Sequence, residues 1–184
     1  MKRVNLPTIQ GAPPRERVFP AYPVALQALI INEDERFLLL SSPTRNGHNE
    51  WQVISGGLDA NETILDGLLR EVGEEAGADV RVRPLTTIHT QTFTFDSHIP
   101  FMIGIYFLLA YEGGNVVPGD DMAGSNIRWW SVSELEQAEI RFHPSTHLWM
   151  LKRGVEMYRM LRERPLPPSV LQPPLFKDPK GFNA

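Results

Sequence analysis

The chain has 184 residues, of which 42% are hydrophobic and 22% charged, ordinary globular proportions that exclude a fibre or a chain disordered throughout. Its formal net charge of −4 disfavours a protein that lives on the phosphate backbone of long nucleic acids, while a small anionic ligand stays compatible. With no cysteine there is no disulfide scaffold, thiol nucleophile or thiolate metal site, and a reducing compartment, by default the cytoplasm, is expected.

Residues 1–20 carry Pro7, Pro13, Pro14 and Pro20 with little apolar periodicity, and residues 164–184 repeat that habit. Both are read as irregular, Pro-rich arms flanking one domain over residues 21–163, disordered by default, with docking on another protein or exchange across a homodimer as the alternative. Met1, Lys2 and Arg3 lead into prolines instead of an apolar signal core, and no apolar run approaches a membrane span, so neither export nor insertion is expected.

Within the domain, Val24 to Ile31 and Phe37 to Leu40 are apolar runs separated by a polar turn of hairpin length, which predicts an antiparallel strand pair. Trp51 to Ile54 is a short strand that runs into two glycines, Gly56 and Gly57. A helix of about fourteen residues follows, capped by Asp59 or Asn61 and stopped by Gly77. Val80 to Thr90 and Phe101 to Tyr111 read as strands, the second apolar enough to be buried on both faces, with a bend between Arg81 and Pro84. Asn126 to Trp130 is another strand, Ser131 to Gln137 a short capped helix, and Pro144 to Leu161 a longer helix with proline in its first turn. Strands interleaved with two substantial helices predict an α/β fold, a mixed sheet between helices.

The chemistry concentrates between Gly56 and Ala78. Gly56, Glu62, Arg70, Glu71, Glu74, Glu75 and Gly77 stand at the offsets G-x5-E-x7-R-E-U-x-E-E-x-G-U, with Val72 and Ala78 at the aliphatic positions U. At about 100° per residue, Leu65, Leu68, Leu69, Val72 and Ala76 share one arc of the helix, while Glu71, Glu74 and Glu75 occupy an adjoining one. Three like charges within a turn repel by a few tenths of a kcal/mol per pair, and a hard divalent cation reverses that sign. Oxygen-only donors suit Mg²⁺ or Mn²⁺, which combine one or two carboxylates with waters and substrate phosphates. Gly67, on the carboxylate side, is read as clearance for a ligand, and Ile64 as packing under the loop at the helix start.

This run closely resembles the Nudix box. Seven fixed identities at roughly 6% each would coincide by chance about once in ~10⁸ to 10⁹ positions. The departures are the small Ala78 and Ser55, which stands where the family usually has another glycine. The resemblance implies an α/β/α sandwich and hydrolysis of a nucleoside diphosphate linked to another moiety X, with Mg²⁺ or Mn²⁺ as cofactor and a small nucleotide as substrate. Glu71, Glu74 and Glu75 become the metal-ligand candidates, joined by the backbone of Ser55 and Gly56 and by Asp121, which with Asp120 lies in a loop where related enzymes supply a further acidic group. Glu71 or Glu75 serves as general base, Arg70 orients Glu71, and Glu62 ties down the loop at the helix start.

Other signals carry less. Trp51, Phe93, Phe95, Trp129 and Trp130 offer faces for a base but read first as packing residues. Arg45 and His48 are placed to meet a phosphate or simply solvent, and Pro144 spoils the pairing of His143 with His147 as metal ligands. The lack of a basic tract disfavours RNA decapping, and Thr92 to Phe95 match neither the proline nor the tyrosine that marks particular substrates in the family, so the substrate stays open. A non-catalytic nucleotide sensor on the same fold is the alternative function.

Overall fold

The computed structural model describes residues 21–41, 50–95, 97–119 and 122–163. The arms at residues 1–20 and 164–184, together with Arg45, His48, Asp120 and Asp121, lie outside them.

The described residues form six strands and three helices in the order β1 (Val24–Ile31), β2 (Phe37–Ser41), β3 (Ile54–Gly57), α1 (Ile64–Glu75), β4 (Arg81–Phe93), β5 (Met102–Gly113), β6 (Asn126–Trp130), α2 (Val132–Gln137) and α3 (Leu148–Glu163). The strands form one mixed sheet in the order β4-β5-β1-β2-β6, with β3 paired to the lower half of β1. Strands β1 and β2 are antiparallel, as the hairpin pattern predicts, whereas β1 and β5 run parallel through eight registered pairs from Val24 opposite Ile103 to Ile31 opposite Ala110.

Alternation along β1 divides the core. Leu26, Ala28 and Ile30 face α1, where they meet Leu68, Val72 and Ala76; Leu29 and Ile31 face the other way, toward Leu151, Val155 and Tyr158 of α3 and Leu135 of α2. A strand covered on both faces must be apolar throughout, hence the near-continuous apolar runs of β1 and β2. The bend predicted near Pro84 is a pair of register shifts in the β4–β5 ladder, between Arg81 and Val82 and between Pro84 and Thr86.

Two helix starts differ from the sequence reading. The N-cap of α1 is Thr63, whose hydroxyl accepts the Asp66 N–H at 3.1 Å; Asn61 instead takes up a positive φ of 70°, and the Asp59 N–H is held by Glu62 at 2.7 Å. Helix α3 begins at Leu148, because Thr146 N–H turns back onto the His143 carbonyl and residues 144–147 form turns ahead of the helix. For α2, Ser131 and Glu134 complete a reciprocal capping box.

The Ser131 N–H, the largest influence, with the Ser131 hydroxyl and Arg36, draws the Glu134 carboxyl down to about 2 from its ordinary 4.5. A carboxyl lowered on folding stabilises the native state fully above its unfolded value, and the contribution disappears as pH falls through the folded value. Acid unfolding of Glu134→Gln should therefore lack the loss of stability that the wild type shows between about pH 4.5 and pH 2 from this group; superimposable acid titrations of the two would contradict the assignment.

Candidate active site

Strand β3 ends in Ser55, Gly56 and Gly57, and the loop that follows delivers the chain to Thr63 and into α1. Helix α1 lies against β1 and β3 with Gly67, Leu68, Glu71, Val72 and Glu75 buried. The burying arc is thus centred on Leu68 and Glu75 and shifted toward the acidic side of the expected stripe. Leu65 and Leu69, expected to pack, are 36% and 39% exposed, and Ile64 is 42% exposed because it opens the helix ahead of the turns that face the sheet. This rotation brings carboxylates inward: Glu75 is 2% exposed and Glu71 8%, while Glu74 stays at the rim.

Each buried carboxylate rests against the end of β3. Glu75 Oε2 accepts the Ser55 N–H at 2.8 Å. The carboxylate of Glu71 lies directly on the Cα of Gly56, in the space that any side chain there would fill. The sequence reading turned to the backbone of these two residues for a carbonyl; the structure shows a donor to Glu75 from Ser55 and a close approach of Glu71 to Gly56.

Arg70 gathers the remaining oxygens. Its Nη1 donates to Glu71 Oε1 at 2.7 Å and to Glu74 Oε2 at 2.8 Å, while Nε and Nη2 donate to Glu62 at 3.2 and 3.0 Å and Nη2 also reaches the Gly57 carbonyl at 2.8 Å. The hydrogen bond to Glu62, with those to Glu71 and Glu74, raises the guanidinium pKa, and the same contact from Arg70, aided by the Asp59 N–H, lowers that of Glu62. Mutual repulsion of the acidic groups, which the sequence left to a cation, is offset here by an internal one.

Gly67 is not ligand clearance. A Cβ there would come within 2.6 Å of Glu62 Oε1 and 3.0 Å of Leu26, so the missing side chain makes room for the residue that holds Arg70. At the far end of α1, Gly77 takes the expected positive φ, 114°, and Val117 N–H caps the Ala76 carbonyl at 2.8 Å. An open depression of about 520 Å³ lies there between Gly73, Gly77, Asn115, Val117 and Gly119, touching the acidic cluster only through Glu74.

Oxygen donors alone line the cluster, two of its carboxylates are withdrawn from solvent, and both lie against the backbone of one loop; this donor set fits Mg²⁺ or Mn²⁺. Among the described residues no three acidic or histidine side chains converge closely enough to enclose an ion. His143 and His147 stay apart from this chemistry. His143 Nδ1 lies 2.8 Å from Ser145 Oγ, and the His147 ring stacks on Trp149. Trp51 and Trp130 meet edge to face in the core beneath α3, Trp129 packs on Tyr111, and Phe95 is 61% exposed.

Residues 21–150 match the model of the NUDIX domain, and the chain belongs to the Nudix family. It is 32% identical over 135 residues to the NAD-capped RNA hydrolase NudC of Deinococcus radiodurans, an alignment covering 72% of this chain and 45% of that protein. It is 26% identical to the human 8-oxo-dGDP phosphatase NUDT18 over 157 residues, 84% of this chain and again 45% of the relative. The chain therefore spans less than half the length of these two relatives. Among solved structures it resembles an ADP-ribose pyrophosphatase from Streptococcus suis, with a TM-score of 0.59 at 18% identity, covering 76% of this chain and 93% of that one, a likeness of fold.

Three substitutions probe the geometry. Gly56→Ala should cost about 1 to 3 kcal/mol in urea unfolding by driving a methyl into the Glu71 carboxylate, whereas Gly57→Ala, which meets nothing within 4 Å, should change stability by no more than about 0.5 kcal/mol. Arg70→Gln should lower metal-free stability by about 1 to 3 kcal/mol, and millimolar Mg²⁺ should restore part of that loss; a thermal midpoint equally low with and without Mg²⁺ would show that cation and guanidinium do not serve the same charges.

Proposed function

We propose that this protein is a divalent-metal-dependent hydrolase that cleaves a phosphoanhydride in a nucleoside diphosphate linked to a second moiety, as in ADP-ribose, nucleotide sugars, nucleoside triphosphates or dinucleoside polyphosphates. The observation that carries this reading is the pair of buried carboxylates, Glu71 on Gly56 and Glu75 on the Ser55 N–H, beside the rim carboxylate Glu74, with Arg70 joining Glu71 to Glu74. Burial is costly for carboxylates; Arg70 beside Glu71 and the Ser55 N–H on Glu75 offset that cost, and an acidic cluster held inward in this way supports a role with a cationic ligand.

Glu71, Glu74 and Glu75, with the backbone at Ser55 and Gly56, would hold the Mg²⁺ or Mn²⁺, and Asp121 is a further candidate. When bound, the cation supplies neutralisation of the phosphate oxygens and a lowered pKa for the attacking water. The protein's own part is positional. Glu71 or Glu75 takes the proton from that water, and Arg70 fixes Glu71 while Glu62 and the Gly57 carbonyl fix Arg70. Of the two relatives, NUDT18 is named for 8-oxo-dGDP, which supports a small nucleotide substrate, and NudC for NAD-capped RNA, a nucleotide unit at the end of an RNA; the net charge of −4 supports recognition of such a unit over the body of a long RNA.

The test incubates the protein with Mg²⁺ or Mn²⁺ against ADP-ribose, nucleotide sugars, NAD, dinucleoside polyphosphates and ordinary or oxidised nucleoside di- and triphosphates, with products identified by mass. Cleavage that stops on chelation is expected, and Glu74→Gln and Glu75→Gln should remain folded while turnover falls by about 10²-fold or more. Nucleotide binding without turnover by the wild type would favour the sensor, and near-normal rates in both variants would refute the roles given to these carboxylates.

A further inference from the structure

The two edges of the sheet are built differently. An edge strand leaves a row of N–H and C=O groups on which another strand can pair, and natural edges blunt it by being short, charged or proline-containing. Strand β6, five residues long and carrying the exposed Arg128, meets that description. Strand β4, at the opposite edge, has thirteen residues and, among the described residues, a strand neighbour on one side only. Its charges, Arg81 and Arg83, and its proline, Pro84, all stand at its start. From Leu85 to Phe95 there is no Lys, Arg, Asp or Glu and neither Pro nor Gly.

The later half of this strand is also its regular half. The register shifts against β5 all lie before His89, and from His89 opposite Tyr106 to Phe93 opposite Met102 the ladder is unbroken. Past its end, the Phe95 N–H donates to the Ile99 carbonyl and the Thr94 hydroxyl to the Pro100 carbonyl, both at 3.1 Å, so the two chains of the hairpin stay together as far as Phe95. Thr90 is paired with Ile105, which packs on the α1 side; Thr92 and Thr94 follow at strand spacing, and all three are exposed. His89, Gln91, Phe93 and Phe95 alternate with them, and Phe95 is 61% exposed.

We propose that residues His89 to Phe95 are the contact through which a second copy of this chain extends the sheet, antiparallel about a two-fold axis at Thr92. That register sets Thr92 opposite Thr92, Thr90 of each copy opposite Thr94 of the other, Gln91 opposite Phe93 and His89 opposite Phe95. Threonine pairs and aromatic pairs across strands stabilise a sheet, and in this register no like charges meet. A two-fold contact uses the same edge of both copies, so association closes at the dimer. The chain's own arms do not suit the place. Proline recurs so often in residues 1–20 and 164–184 that neither arm holds seven consecutive residues free of it, and a strand added to this edge needs its N–H groups.

Sedimentation velocity of the full chain over rising concentration tests the contact, with two double variants beside the wild type. The wild type should pass reversibly from monomer to dimer. Thr90→Lys with Thr94→Lys sets lysine against lysine twice across the axis and should weaken dimerisation about tenfold. Thr90→Lys with Thr94→Glu sets lysine against glutamate in the same two places and should restore wild-type association or better it. Within one copy these positions lie about 13 Å apart along the strand, so a difference between the variants reports on pairs between copies. Both change only exposed side chains, and their circular dichroism should match that of the wild type. A wild type that stays monomeric throughout, or two variants that associate equally well, would overturn the proposal.

Discussion

The acidic edge of α1 depends on a single guanidinium. Glu62, Glu71 and Glu74 converge on Arg70, and Glu71 and Glu75 are withdrawn from solvent, a concentration of like charge that no helix would turn inward uncompensated. Arg70 suits the task because its planar fork presents several donors in fixed directions, enough to reach three carboxylates and the Gly57 carbonyl together. A lysine, with one compact charge, could neutralise the cluster but could not hold its members at separate positions.

Other features of the box follow from that constraint. Gly67 is small because Glu62 lies over it to reach Arg70, and Gly56 is small because Glu71 lies on its α-carbon. Thr63 caps the helix so that its first turn forms without drawing on Glu62, leaving that side chain for Arg70 and the Asp59 N–H. Both glycines act sterically: neither has a positive φ, and each makes room for a carboxylate of the chain itself.

The outline was legible in the sequence where local signals agree. Strand β6, the capping box of Ser131 and Glu134, and the stop at Gly77 each depend on residues adjacent in the chain, and the spacing of Glu71, Glu74 and Glu75 fixes their relative directions on any helix. What the sequence left hidden depends on partners distant along the chain. The rotation of α1 that exposes Leu65 and Leu69 is set by Ser55 and Gly56 of β3, and periodicity alone prefers the leucines. Helix α3 starts late because His143 and Ser145 bond to each other, a local choice that competes with the helix. Gln27 carries no local signal within an apolar run, since only the ladder sets it beside Ser55 and Tyr106.

The short strand β3 joins the two faces of the sheet. Along an extended chain successive residues point to opposite sides. Ile54 packs into the core beneath α1, Ser55 belongs to the row of Gln27 and Tyr106 on the other face, and Gly56 meets Glu71 back on the α1 side. Consecutive residues thus connect the acidic cluster to the polar row through the pleat itself, with no intervening loop to blur the relation. The serine in place of the family's usual glycine at position 55 is accommodated for the same reason: its side chain points to the row, away from the carboxylates, and only its backbone N–H faces Glu75.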